Sequence, residues 1–315
     1  MKVLVTGGAG FIGSHFVEWT LKNRPEVDLI VLDKLTYASV VGRETLDRLG
    51  VPVIVGDIAN PEDVDRATKN VDAIVNFAAE THNDNSIESP DIFYKTNVLG
   101  TLELVKCASS KGIRFHQIST DEVFGDLALG SEQKFTRESA YNPSSPYSAS
   151  KAAADHVVRA WTRTYGLNAT ISNCSNNYGP RQHVEKLIPK SISLLAQGKN
   201  PVLYGDGANV RDWIHVLDHV RGIWAVLDRG ALGETYLLGA NCERSNKEVV
   251  QTLIDKSGLA DVNIEFISDR PGHDKRYAID SAQSQADLSW VPQANDFEAE
   301  LEKILLMELR GSQTP

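Results

Sequence analysis

Thr120, Asp121 and Glu122 follow one another at the end of an apolar run, and Tyr147 and Lys151 stand four positions apart further along the chain. Positions i and i+4 share one face of a helix, so the phenol and the ammonium are expected side by side. A positive charge beside a phenol favours the phenolate. Lys151 is therefore expected to lower the pKa of Tyr147 and make it a base for a hydroxyl proton, while a neighbouring cofactor takes the hydride. Two adjacent carboxyls add what a simple oxidation does not need, an acid and a base for a second reaction. Like charges this close push two pKa values apart, so one carboxyl can keep a proton that the other has lost. Consecutive strand residues point to opposite faces, so Asp121 and Glu122 can serve one substrate only if the strand ends near Ser119 or Thr120.

The elements that position these groups are read from the period of the apolar residues. Short β-rich runs at 2–6, 29–33, 53–55, 73–77, 115–119 and 169–173 alternate with amphipathic stretches, a βαβ rhythm of six strands. Strands apolar on both faces imply a parallel sheet covered by helices, the doubly wound Rossmann-type α/β class. Helices are expected from Phe11, from Pro61, over about 90–110 and over 147–165. Beyond Tyr178, Gly-Pro, Lys-Asn-Pro and Gly-Asp-Gly clusters break the chain into short pieces, with a clear helix only over 186–197 and at the C-terminus. The expected organisation is a dinucleotide-binding domain over 1–178, rejoined by about 211–238. A smaller α+β substrate-binding domain over 179–315 follows, with a disordered tail at 311–315.

Thr6-Gly7-Gly8-Ala9-Gly10-Phe11-Ile12-Gly13 follows the first strand and opens the first helix. Gly7, Gly10 and Gly13 allow a tight turn and close approach to a pyrophosphate, whose charge the helix N-terminus favours. Asp33 ends the second strand, where a carboxylate accepts hydrogen bonds from the adenosine ribose and repels a 2′-phosphate. The pattern points to NAD rather than NADP, even with the basic Lys34 alongside.

Composition removes other classes. A net charge of −10 over 315 residues argues against nonspecific nucleic-acid binding, so any phosphate site must be a local basic pocket. Cys107, Cys174 and Cys242 lie far apart and suggest neither a disulfide framework nor a zinc site. No apolar run is long enough for a membrane span, and strand-like residues begin at Lys2, so a cytoplasmic protein without a signal peptide is expected. His215 and His219 have the spacing of a metal pair but lack an accompanying acid and third ligand, so no metal is expected. His15 and Cys174 read as packing residues, and Val98, Leu102 and Val105 as core.

These motifs resemble the extended short-chain dehydrogenase/reductase family and, within it, the dTDP-glucose 4,6-dehydratases. The most specific stretches are Leu32-Asp-Lys-Leu-Thr-Tyr-Ala38, Ser119-Thr-Asp-Glu-Val-Phe-Gly125, Cys174-Ser-Asn-Asn-Tyr-Gly-Pro180, Glu185-Lys-Leu-Ile-Pro189, Asn209-Val-Arg-Asp-Trp-Ile-His215 and Asp269-Arg-Pro-Gly-His273. The resemblance implies NAD contacts at Phe11, Ile12, Asp33, Lys34, Thr36, Asp57, Ile58, Ala78, Ala79, Thr96, Tyr147, Lys151 and Asn177. It implies nucleotide-sugar contacts at His82, Thr120, Asn176, Lys186, Leu187, Val202, Leu203, Tyr204, Arg211, Asn246, Arg270 and His273. The basic members suit a diphosphate and the apolar ones the face of a nucleobase. A homodimer formed through the helices near 90–110 and 147–165 is implied as well. The chain departs from the family pattern at Phe124, where Tyr is usual, and over 39–50. It departs also at Ala79-Glu-Thr-His-Asn-Asp-Asn-Ser86, where Glu-Ser-His-Val-Asp-Arg-Ser is commoner and Asn85 stands in place of an arginine.

In the chemistry this resemblance implies, Tyr147 takes the C4 hydroxyl proton of the sugar, Thr120 hydrogen-bonds the C4 oxygen and Lys151 holds the nicotinamide ribose. Glu122 is the base for the C5 hydrogen, and protonated Asp121 is the acid that releases the C6 hydroxyl as water. GDP-mannose dehydratases, 4-epimerases and decarboxylases share the fold, and Asp121 is the residue that separates these readings; a UDP-glucose 4,6-dehydratase stays an alternative, since thymine and uracil differ by one methyl. A noncatalytic NAD sensor would not need Tyr147 and Lys151.

Overall fold

The computed structural model describes residues 1–269 and 271–311. Seven parallel strands form the central sheet, in the order Thr235–Leu238, Ala169–Cys174, Arg114–Thr120, Ala73–Asn76, Lys2–Thr6, Asp28–Asp33, Val53–Val55. The chain winds outward from Lys2–Thr6 through its second and third strands, then restarts on the other side at Ala73–Asn76. The order therefore reverses between these two neighbours, and a crevice opens beyond their carboxyl ends, the usual ligand position in such sheets.

Both faces of the sheet are covered, as its apolar strands require. On one face the helices Phe11–Asn23 and Val216–Arg229 pack together. The rings of Phe16 and Trp224 stack at 5.3 Å, and the indole Nε1 donates to Thr20 Oγ1 at 2.8 Å, so a large apolar surface is buried without an orphaned N–H. On the other face Leu104, Val105 and Ala108 of Thr101–Lys111 and Val158 of Pro146–Tyr165 pack over Ile74, Phe115 and Ile171. Val105 is thus core, while Val98 and Leu102 are half-buried.

The structure adds a seventh strand to the expected six. Thr235–Leu238 is only four residues long, lies between Gly233 and Gly239, and joins the sheet long after its neighbour in sequence, so its own period carries no signal. The expected helix over 90–110 is three pieces, α-helical Pro90–Phe93, π-helical Tyr94–Gly100 and α-helical Thr101–Lys111. The wider turn holds Asn97, whose buried amide bonds both main-chain groups of Glu80 and the Ser150 hydroxyl.

Beyond Tyr178 the chain is more helical than expected, with Val216–Arg229, Asn246–Ser257 and Ala282–Leu288 besides Leu187–Ala196 and Phe297–Gly311. The glycine and proline clusters end near Gly207, and after them Val216, Val220, Ile223 and Leu227 recur at helical spacing. Val210–His215 does not rejoin the large sheet; it lies between Glu243–Ser245 and Asn176–Tyr178 in a three-stranded sheet. Val202–Tyr204 pairs with Glu265–Ile267. Tyr178, Ile188, Trp213, Leu253 and Phe297 are part of the core of this smaller unit.

Candidate active site

The glycine turn follows Thr6 directly. Gly7 has φ +68°, and a Cβ there would lie 2.7 Å from the Ala78 nitrogen; at Gly13 it would lie 2.2 Å from the Gly7 carbonyl oxygen. The cradle therefore exists only with glycine at these positions. Helix Phe11–Asn23 starts at Gly10 without a side-chain cap, so its first N–H groups face the crevice as donors for an anion. Asp33 is buried, accepting the Ala9 N–H at 2.9 Å and the Leu35 N–H at 2.8 Å, and so ties the glycine turn to the end of the second strand. The Lys34 ammonium pairs with Asp57 at 2.9 Å, and Asp57 also accepts the Ala59 N–H. The residues fit a dinucleotide whose ribose meets a carboxylate and whose pyrophosphate meets main-chain N–H groups.

Strand Arg114–Thr120 ends at Thr120, and one 3-10 turn, Asp121–Phe124, begins at once. Thr120 starts that turn, its hydroxyl accepting the Glu122 N–H at 3.3 Å. Strand alternation is broken at the point the chemistry demanded, and Asp121 and Glu122 are free of it. Helix Pro146–Tyr165 is started by a capping box between Ser145 and Ser148, with Pro146 in its first turn. Tyr147 lies in that turn with Lys151 one turn on, and both line the crevice.

Asp121 is 1 % exposed and its Oδ2 has no hydrogen-bond partner among the described residues. Burial, then the charges of Glu122 and Asp212, hold its carboxyl well above the usual range, which favours the protonated form. Tyr147 differs from expectation. Burial and the negative charge of Glu122 hold the phenol well above its ordinary value, with a Thr120 hydrogen bond working the other way. Lys151 is bonded to the main chain nearby. The ammonium donates to the Ile118 carbonyl at 2.7 Å, and burial lowers its own pKa against the charge of Asp155. Asp155, fully buried on the same helix, accepts from the hydroxyls of Ser119 at 2.6 Å and Tyr141 at 2.9 Å.

Two adjoining clefts result. The inner, of about 250 Å³, is lined by Gly7, Gly10, Phe11, Ile12, Gly13, Ala79, Thr120, Asp121, Tyr147, Lys151, Asn176 and Asn177 among others. Ala78 adjoins the turn, whereas Asp33, Lys34, Thr36, Asp57, Ile58 and Thr96 stand outside this lining. The outer cleft, of about 470 Å³, gathers His82, Asn176, Lys186, Leu187, Val202, Leu203, Tyr204, Arg211, Asn246 and His273. Lys186 reaches across to the Thr81 carbonyl at 2.9 Å, and the Tyr204 hydroxyl donates to Asp84 at 3.1 Å. Arg211 is buried over the Tyr277 ring at 4.2 Å and donates to the carbonyls of Val210 and Asp274. Arg270, expected at the substrate, lies outside the described residues.

His215 caps helix Val216–Arg229, and the ring of His219, which burial keeps neutral, meets Asn177 Oδ1 at 2.9 Å. Sequence reasoning missed Ser119, Ser175, Gln182 and His183 on the inner wall and Asn83 beside the 3-10 turn. Ser119 and Ser175 lie inside recognised stretches; Gln182 and His183 fall just after one and carry no pattern of their own. Among the described residues, no helix is long and apolar enough to cross a membrane.

The family model described as GDP-mannose 4,6 dehydratase matches residues 4–303. The dTDP-glucose 4,6-dehydratase of Mycolicibacterium smegmatis is 49% identical over 303 residues, 96% of this chain and 91% of that one. The corresponding Neisseria gonorrhoeae protein is 45% identical, with 96% of this chain and 94% of the relative covered. Among solved structures, the dTDP-glucose 4,6-dehydratase of Streptomyces venezuelae with NAD bound superposes with a TM-score of 0.93 at 44% identity, covering 99% of this chain and 98% of that one.

Proposed function

The chain belongs to the family of these dehydratases, and from that premise we propose that it is an NAD-dependent lyase converting dTDP-glucose to dTDP-4-keto-6-deoxyglucose and water, a step of deoxysugar biosynthesis. NAD, held by the turn from Gly7 to Gly13 and by Asp33, supplies the hydride acceptor for C4 and the hydride donor for C6. The chain's own residues move the protons. Thr120 hydrogen-bonds the C4 oxygen and Tyr147, once substrate is bound and the Lys151 charge favours its phenolate over the burial that opposes it, takes the C4 hydroxyl proton. Lys151 lies one turn beyond Tyr147 on the cofactor side. The new C4 carbonyl acidifies the C5 hydrogen, which Glu122 removes. Asp121 gives its proton to the C6 hydroxyl, which leaves as water, and Glu122 returns a proton to C5.

The observation that carries this reading is the unlike pair at the strand end. Asp121 is buried, has an oxygen without a hydrogen-bond partner among the described residues and is favoured in its protonated form, while Glu122 beside it is partly open. A 4-epimerase, which only moves a hydride off C4 and back, has no use for a protonated acid there. In the outer cleft Lys186 and Arg211 offer charge to a diphosphate, and Leu187, Val202 and Tyr204 an apolar wall to the base. The same reading includes a large-sheet unit holding NAD, a smaller unit holding the nucleotide, a cytoplasmic setting and a homodimer. The exposed Ile92, Tyr94 and Leu99 on the segment expected at the interface support the last.

The test is to incubate purified protein, without added NAD, with dTDP-glucose, UDP-glucose and GDP-mannose and follow 4-keto-6-deoxy product. Product from dTDP-glucose first and fastest is expected. Epimerised or decarboxylated sugar would overturn the assignment.

A further inference from the structure

Asn83 touches both halves of the proton machinery. Its Nδ2 donates to Glu122 Oε2 at 3.1 Å, and its Oδ1 accepts from the Ser145 hydroxyl at 3.0 Å. This orientation gives the Glu122 oxygen a donor and the Ser145 hydroxyl an acceptor. Both of its anchors are fixed. Ser145 is the capping residue of the helix that carries Tyr147, its hydroxyl accepting the Ser148 N–H at 3.1 Å. Asn83 itself opens helix Asn83–Glu88, where its carbonyl accepts the Ser86 hydroxyl at 2.6 Å. Three segments distant in sequence thus meet at one half-buried side chain on the outer cleft. The position is one of those where the chain departs from the pattern it otherwise resembles.

We propose that Asn83 is a positioning residue for the elimination step: its amide holds one oxygen of Glu122 and leaves the other aimed at the C5 hydrogen. The inference rests on the reading of the chain as a 4,6-dehydratase. A glutamate on a short turn has three side-chain torsions to lose, and a fixed donor removes that freedom before substrate arrives. The neighbouring carboxyl is treated in the opposite way, since Asp121 Oδ2 meets no donor among the described residues. The two groups are thereby given different surroundings, one aimed as a base and one left protonated.

The test uses Asn83→Val, which removes both hydrogen bonds at similar size, and Asn83→Asp, which keeps an acceptor for Ser145 but turns an acceptor toward Glu122. Two steps are read separately in each: formation of bound NADH from dTDP-glucose in a single turnover, and exchange of the C5 hydrogen of added dTDP-4-keto-6-deoxyglucose in D2O. Asn83→Val, which sets here the residue commoner in the pattern the chain resembles, is expected to slow C5 exchange about 3- to 10-fold with NADH formation nearly unchanged, and Asn83→Asp to slow exchange at least as much. Wild-type exchange in either variant would overturn the proposal, the Asp result by assigning the effect to Ser145. A parallel loss of both steps would overturn it too, as the mark of a general packing role. Absence of 4-keto-6-deoxy product from the unaltered protein is a separate result, which overturns the functional reading itself.

Discussion

At Asp121 the surroundings decide the chemistry. A carboxyl that is buried, feels the charges of Glu122 and Asp212, and has an oxygen without a partner among the described residues is favoured in its protonated form where an exposed aspartate would lose the proton. Asp121→Asn is expected to leave C4 oxidation intact and to slow water loss by about 10²- to 10⁴-fold. The same substitution reports on stability. Because the folded pKa is raised, the folded chain holds a proton that the unfolded chain releases above the ordinary carboxylate range. The contribution of the protonated form is therefore complete at low pH and is lost as pH rises through the folded pKa. Asp121→Asn removes that loss, so calorimetry is expected to find a higher Tm than wild type at pH 8 and little difference near pH 4. Residue types and spacing made Asp121, Glu122, Tyr147 and Lys151 legible in the sequence. The upward shift at Tyr147 was not, because burial and the charge of Glu122 come from groups that its local spacing does not record. Asn83 was not legible either, since its partner Glu122 is 39 positions away.

At the level of elements, function depends on where regular structure stops. The strand ends at Thr120, the next turn is 3-10, and the glycine turn ends the first strand in a shape that side chains would fill. Gly13→Ala sets a Cβ against the Gly7 carbonyl oxygen, a main-chain atom that cannot swing away. The variant is expected to be less stable by about 1–3 kcal/mol and to lose NAD on purification, read by thermal unfolding and by the cofactor content of the isolated protein. Most strands and the helices near the site were legible because their apolar periods are local. The π-helical segment was not: Asn97 within it bonds Glu80 and Ser150, contacts that no local pattern records. Thr235–Leu238 is too short to read, and the helices after Gly207 follow turn clusters whose glycines and prolines mask the onset of their apolar period.

For the whole molecule, topology brings the pieces together. Reversal of strand order beside Lys2–Thr6 sets the glycine turn against the loop after Ala73–Asn76, and Thr120 ends the next strand along. The smaller unit closes the outer side of the same crevice with Lys186, Tyr204 and Arg211. One enclosed site then has reason to carry out oxidation, water loss and reduction in sequence, with the hydrogen taken from C4 returned at C6 before the sugar leaves. The direct test is dTDP-glucose deuterated at C4, turned over together with undeuterated, carbon-13-labelled dTDP-glucose. Deuterium found at C6, only in molecules that carried it at C4 and without net NADH, is the expected result. Deuterium retained at C4 of an epimerised sugar, lost to solvent, or shared between the two populations would contradict the account.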